Sequence, residues 1–269
     1  NSVIQKGSTI MLNKYNFSGN NKYRAQIFEN QEAGFGSLVE ININCDTVVV
    51  SAPYWGLNFG QGDGQNGSVF IYKYFNNDWV LFQQIDDIEF SRDTRSGSSI
   101  SINNKGNIIA VGCPGVMSPN TKGGFVNIYT ITSDTYKKIG DSITALKFTN
   151  IPENDGRTGA SVELSSNGKR LIVGTPNHFM SEFNNLLESE KEYYHGYARV
   201  FEINDTNDNF KQIGNTILRR QDNSSSKANT GYSVSINSEG DIVAVLSQGY
   251  GQIADISIYK LVDNHWILH

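Results

Sequence analysis

No apolar run in this sequence is longer than a strand. The longest, such as Val48 to Val50 with Ala52 beyond, fall far short of a membrane span. A spanning helix needs about 20 apolar residues, so no membrane insertion is expected. There is no basic block either, and the net charge is −5. Nucleic acid is therefore not an expected partner. Cysteine is scarce: Cys45 and Cys113 are the only two in 269 residues. That rules out a framework of disulfides of the kind that staples small secreted domains. The four histidines, His178, His195, His265 and His269, lack metal-ligand spacing. No serine stands in a nucleophile-elbow pattern, and no segment shows helical periodicity.

What the sequence does have is repetition. GFGSLVEININCDTVVVSAPYWG begins at Gly34 and returns in altered form from Arg95, Arg157 and Asn229. The copies can be anchored on Gly36, Gly97, Gly159 and Gly231, which lie 61, 62 and 72 positions apart. Such a period suits four short strands and not a single hairpin. The first strand alternates, with Ser37, Val39 and Ile41 on one side and Leu38 and Glu40 on the other. A tight turn follows, and three of its four versions carry Gly. The second strand is apolar on both faces, as in Ile108 to Val111 and Leu171 to Val173, so both faces should be buried. Pro53, Pro114 and Pro176 end it in the first three copies. The third strand opens at Gly67, Gly124, Gly196 and Ala254 and ends on an aromatic. The fourth carries Trp79, Tyr136, Phe210 and Trp266. Two copies share a further signature, Ile139-Gly140 and Ile213-Gly214.

Antiparallel strands in groups of four, repeated along the chain, predict an all-β fold, a β-propeller built from four-stranded blades. Residues 1–269 then form a single propeller domain. Residues 1–10 match the end of a fourth strand, and His265 to His269 match the beginning of one. Two architectures stay open. Head and tail can pair in one blade and close a four-bladed ring, or the four repeats are part of a larger propeller.

The pattern FG.S…VVVSAPYWG…GSVFIYKY resembles the FG-GAP repeat, the blade unit of integrin-α-type propellers. Gly36 to Tyr72, Gly97 to Tyr129 and Gly159 to Phe201 carry the resemblance, while the fourth copy departs at Leu246, Ser247 and Gln248. The resemblance implies a propeller of about seven blades and a role in binding or support. That family often has a calcium loop of DxDxDG type. Here the nearest stretch is GQGDGQNG, with Asp63 and Asn66. Calcium takes six to eight oxygen ligands, so the stretch is read as a glycine-rich loop. No cofactor or metal is expected.

Strand direction assigns the rims. Loops between second and third strands emerge with the blade-to-blade links on one rim, and hairpin turns emerge on the other. The long loops fall on the first rim: Tyr54 to Asn66, Gly115 to Gly123 and Asn177 to His195. Variable loops on a rigid scaffold are where binding concentrates. The candidate binding residues are Tyr54, Trp55, Phe59, His178, Phe179, Tyr193, Tyr194, His195 and Tyr250. Replacing Trp55 and Phe59 is expected to weaken capture of a partner without lowering stability. Glu32, Asp93 and Asp155 recur before the anchors and read as turn caps. Cys45 and Cys113 fall at opposite strand ends, some 20 Å apart at roughly 3.3 Å per residue, and are expected as separate thiols.

The function expected is non-enzymatic: a binding or scaffold propeller that engages a protein or glycan through its loop rim. Its expected setting is extracellular, at a cell surface or on a particle, where it could join assembly partner chains. Two alternatives remain. One is a glycan-acting hydrolase with acids around the central channel; the other is a structural component of a large virus particle.

Overall fold

The computed structural model describes residues 8–10, 34–55, 66–86, 94–115, 124–132, 134–146, 156–176, 196–204, 209–218, 228–249 and 254–269. All regular structure among them is strand. The first sheet holds β1 (Val39–Ile41), β2 (Thr47–Ala52), β3 (Ser68–Phe75) and β4 (Asp78–Asp86). The second holds β5 (Ser99–Ile102), β6 (Ile108–Cys113), β7 (Phe125–Thr132) and β8 (Thr135–Thr144). The third holds β9 (Ser161–Leu164), β10 (Arg170–Thr175), β11 (Tyr197–Asn204) and β12 (Asn209–Ile217). The fourth holds β13 (Ala228–Ile236), β14 (Ile242–Gly249), β15 (Asp255–Val262) and β16 (His265–Leu268). Each sheet is a sequential antiparallel meander. The sheets are the four blades of a β-propeller architecture.

Local chemistry explains the strand ends. The prolines stop β2, β6 and β10 at six residues each. The fourth copy has no proline there, and β14 runs on to Gly249 with β13 lengthened beside it. The first hairpin turn is held by an asparagine. Asn42 Oδ1 accepts from the amides of Asp46 and Thr47, at 3.1 and 3.0 Å. Asn103 and Asn237 repeat this pair of bonds. In the third blade Ser165 takes the place, its Oγ accepting from the Arg170 amide at 3.0 Å. The Ile-Gly signature marks a bulge. The ladder between β7 and β8 shifts between Val126 and Ile128, and Gly140 has φ 59°.

The blades stack face to face, with β1, β5, β9 and β13 as successive inner strands. Second-strand residues alternate between neighbours. Ile109 and Val111 face the first blade, while Ile108 and Ala110 face the third. Complete burial of such a side chain contributes roughly 1.5–3 kcal/mol. The fourth-strand aromatics reach back to the blade before. Trp266 packs with Ile213 and Ile217 of β12, and its indole N–H donates to Ile213 O at 3.2 Å. Between the first two blades, Gln83 and Tyr136 exchange two bonds of 2.7 and 2.9 Å. The Tyr136 hydroxyl donates to Gly106 O and accepts from Lys73 Nζ. Burial, with Asp46 adding to it, pushes that phenol up to about 12.

Glycine sets how closely the blades approach. The third-strand glycines sit one residue before their strands, in bridges to the next blade: Gly67 to Ser96, Gly124 to Thr158 and Gly196 to Thr230. A Cβ at Gly174 would lie 2.1 Å from the carbonyl oxygen of Gly231. No side chain fits at that distance.

The fourth sheet has its own outer strand, β16. Residues 1–7 of the expected closing strand lie outside the described residues. Ser8 lies on the first blade, its amide donating to Asp78 Oδ1 at 2.9 Å. Val39 and Ile41 remain 59% and 49% exposed on the outward side of β1, and Ile256 is 70% exposed on the far side of β15.

Gly174→Val should push the third and fourth blades apart. A loss of about 2 kcal/mol or more corresponds to a fall in melting temperature of roughly 4–8 °C. An unchanged melting curve would refute the close approach as a stability determinant.

Candidate functional site

Tyr54 and Trp55 are the candidate binding residues that fall within the described part of the chain. Phe59, His178, Phe179, Tyr193, Tyr194, His195 and Tyr250 lie outside it, as do Glu32, Asp93, Asp155 and Asp63.

The structure separates Tyr54 from Trp55. Tyr54 is 43% exposed. Its ring lies so close over Gly34 that a Cβ there would meet it at 2.7 Å, and the Arg95 guanidinium sits 5.5 Å from its centroid. Trp55 turns inward. It is half-buried and meets Phe70 edge-on at 5.4 Å, while Phe35 meets Phe70 from another side at 5.3 Å. Together with Ile10 and Trp79 these rings cover the outward face of the first blade, over Val48, Val50, Ala52 and Tyr72. The backbone of Trp55 also closes its loop, its carbonyl accepting from the Gly67 amide at 2.7 Å. Trp55 is thus placed in packing, and Tyr54 is placed at the surface.

Arg95 stands out only in the structure. It takes φ 51°, a left-handed conformation that costs a non-glycine residue energy. The turn that follows explains the backbone: Arg95 O accepts from the Ser98 amide at 3.0 Å, with Gly97 at φ 87°. Arg157 repeats this in the next blade with φ 47°. Beside Arg95, Asn66 O accepts from the Ser96 amide and the Thr94 hydroxyl at 2.7 and 2.8 Å. Asn66 Oδ1, Arg95 Nε and Ser96 Oγ are buried and have no hydrogen-bond partner among the described residues. A few such groups are usual in native proteins, and each calls for a physical explanation.

A second feature lies on the inner strands. Glu40, Ser101, Glu163 and Ser235 hold one register, opposite Val49, Ala110, Ile172 and Ala244. Glu163 Oε2 accepts from the Ile236 amide at 3.1 Å. Burial, and then the negative charge of Glu163, raises the Glu40 carboxyl above its ordinary value. The two acids belong to the first and third blades, so only the assembled array brings them within electrostatic reach. Among the described residues no group of three or more His, Cys, Asp or Glu gathers as a metal site would require. No helix among them is long and apolar enough to cross a membrane. Cys45 is exposed and Cys113 buried, and no disulfide joins them.

Two outcomes follow. Trp55→Ala should remove about 2 kcal/mol, since full burial of the ring would be worth about 3–5, and lower the melting temperature by roughly 4–8 °C. Tyr54→Ala should cost less than half as much, and equal losses would contradict the placement of the two rings. For Glu40, a folded pKa above the unfolded value favours the folded state most below the ordinary value of 4.5. That benefit disappears as pH rises through the folded value. The melting temperature of Glu40→Gln should therefore gain on wild type between acid and neutral pH. A constant difference across that window would rule out the coupling.

No family model matches the chain, and no curated protein matches it. Solved structures with some likeness include TolB from Acinetobacter baumannii, at 6% identity and TM-score 0.43, covering 86% of this chain and 42% of that one. A putative 6-phosphogluconolactonase from Bacteroides uniformis is 11% identical with TM-score 0.46, over 86% and 52% of the two chains. Sqt1 from Saccharomyces cerevisiae is 10% identical with TM-score 0.43, over 85% and 45%. The chain spans about half the length of these proteins or less.

Proposed function

We propose that this chain is a non-catalytic binding or scaffold propeller of FG-GAP type, and that it engages a protein or glycan through its loop rim. The carrying observation is the difference between the rims. On the hairpin rim, Asn42, Asn103, Ser165 and Asn237 satisfy the turn amides internally. On the loop rim, Tyr54 is exposed beneath Arg95, beside the polar atoms of Asn66 and Ser96 that lack partners among the described residues. An aromatic ring stacked with a guanidinium suits a sugar face, a carboxylate or a peptide. The proposed setting is a cell or particle surface.

The hydrolase reading keeps one supporting observation, the Glu40 and Glu163 pair. A pair of carboxyls, one of them raised by burial and by the charge of the other, is a starting point for glycoside hydrolysis.

The test uses the whole chain on arrays of glycans and of purified secreted proteins. Wild type should bind a defined subset. Tyr54→Ser with Arg95→Asn should lower that binding at least tenfold, and asparagine preserves the left-handed backbone. Binding unaffected by the pair would reject the rim site. Turnover of chromogenic glycosides, abolished by Glu40→Gln or Glu163→Gln, would replace the binding reading with the hydrolase one.

A further inference from the structure

The inner strands are joined by a ladder of side-chain acceptors. Ser101 Oγ accepts from the Leu164 amide at 3.0 Å. Ser161 Oγ accepts from the Val234 amide at 3.1 Å, and Glu163 Oε2 from that of Ile236 at 3.1 Å. Donors two residues apart lie on one edge of an extended strand. The side chains of the same donor residues are buried against the blade before, Val234 and Ile236 among Ile172, Ala198 and Val200.

On the fourth blade the acceptor side of this ladder meets no further strand among the described residues. Ser233 and Ser235 occupy the positions of Ser161 and Glu163. Both are exposed, and their hydroxyls have no partner among the described residues. Ala244, Ile256 and Ile258 stand where Ile172, Ala198 and Val200 stand one blade earlier. Ile256 and Ile258 are 70% and 45% exposed.

A further blade of this repeat does not fit there. Leu246 replaces Gly112 and Gly174, where even a Cβ would come within 2.1 Å of the next anchor carbonyl. Ala254 replaces Gly67, Gly124 and Gly196, where a Cβ would lie 2.2, 2.5 and 2.4 Å from the oxygen of the next blade. The inner ladder made between the second and third blades and between the third and fourth is the part of these interfaces that continues past the fourth blade.

We propose that this face takes one extended segment of a protein partner. Ser233 and Ser235 read two of its main-chain amides, at positions i and i+2. Apolar side chains at those same positions lie on Ala244, Ile256 and Ile258. The segment lacks the glycine turn that precedes each inner strand, because Leu246 fills that space. This surface is separate from the loop rim, and binding there succeeds or fails independently of Tyr54 and Arg95.

The probe is a capped synthetic peptide with the sequence of residues 160–165, Ala-Ser-Val-Glu-Leu-Ser, titrated into the full chain at up to millimolar concentration. Binding should saturate, with amide chemical-shift changes centred on Ser233, Ser235, Ile256 and Ile258. N-methylation of the peptide's Val and Leu nitrogens removes the two donors and should weaken binding at least tenfold. The double variant Ser233→Val, Ser235→Val should lose as much while melting as wild type does, since both positions are exposed. Absence of saturable binding, or equal binding of the N-methylated peptide, would overturn the proposal. So would sedimentation showing a dimer of the chain alone that the double variant dissolves, because the occupant would then be a second copy.

Discussion

The distance between neighbouring blades is set by main chain touching main chain. At Gly112 and Gly174 the next blade's anchor carbonyl occupies the space a side chain would need. Everything else in the stack follows from that spacing. The second strands of the second and third blades bury both faces because a blade lies close on either side. The serine and glutamate side chains of the inner strands are long enough to reach the next strand's amides only at that separation. A two-faced apolar strand without a neighbour would be a liability. The first blade shows one remedy, covering its outward face with Phe35, Trp55 and Ile10.

Much of the architecture was legible in the sequence, and the reasons are local. Proline cannot continue a ladder, so Pro53, Pro114 and Pro176 marked strand ends correctly. Alternation marked the inner strands, and the both-faced runs marked the second strands. The Ile-Gly signature was visible too, although only the register shift at Val126 and Ile128 shows that it encodes a bulge. The glycine of the hairpin turns was visible in the sequence, and the hydrogen bonds of Asn42, Asn103 and Asn237 show what else holds those turns.

The candidate site was less legible because its determinants are long-range. Nothing adjacent to Trp55 in sequence says that its ring turns back onto Phe70 and not toward solvent. Arg95 carries no motif of its own, and its strained backbone becomes apparent only with the turn to Ser98 in place. Glu40 and Glu163 sit in separate copies, and their electrostatic coupling needs three assembled blades. A signal was present in hindsight: both occupy the same register of the repeat, where the other two copies have Ser101 and Ser235.

Each blade is built from residues close together in the chain, and contacts between blades run between successive ones. The native state is in this sense one-dimensional, with stability shared between single blades and pairwise interfaces. Such a molecule need not unfold all at once. A lesion in the third blade weakens two interfaces at once, the one with the second blade and the one with the fourth.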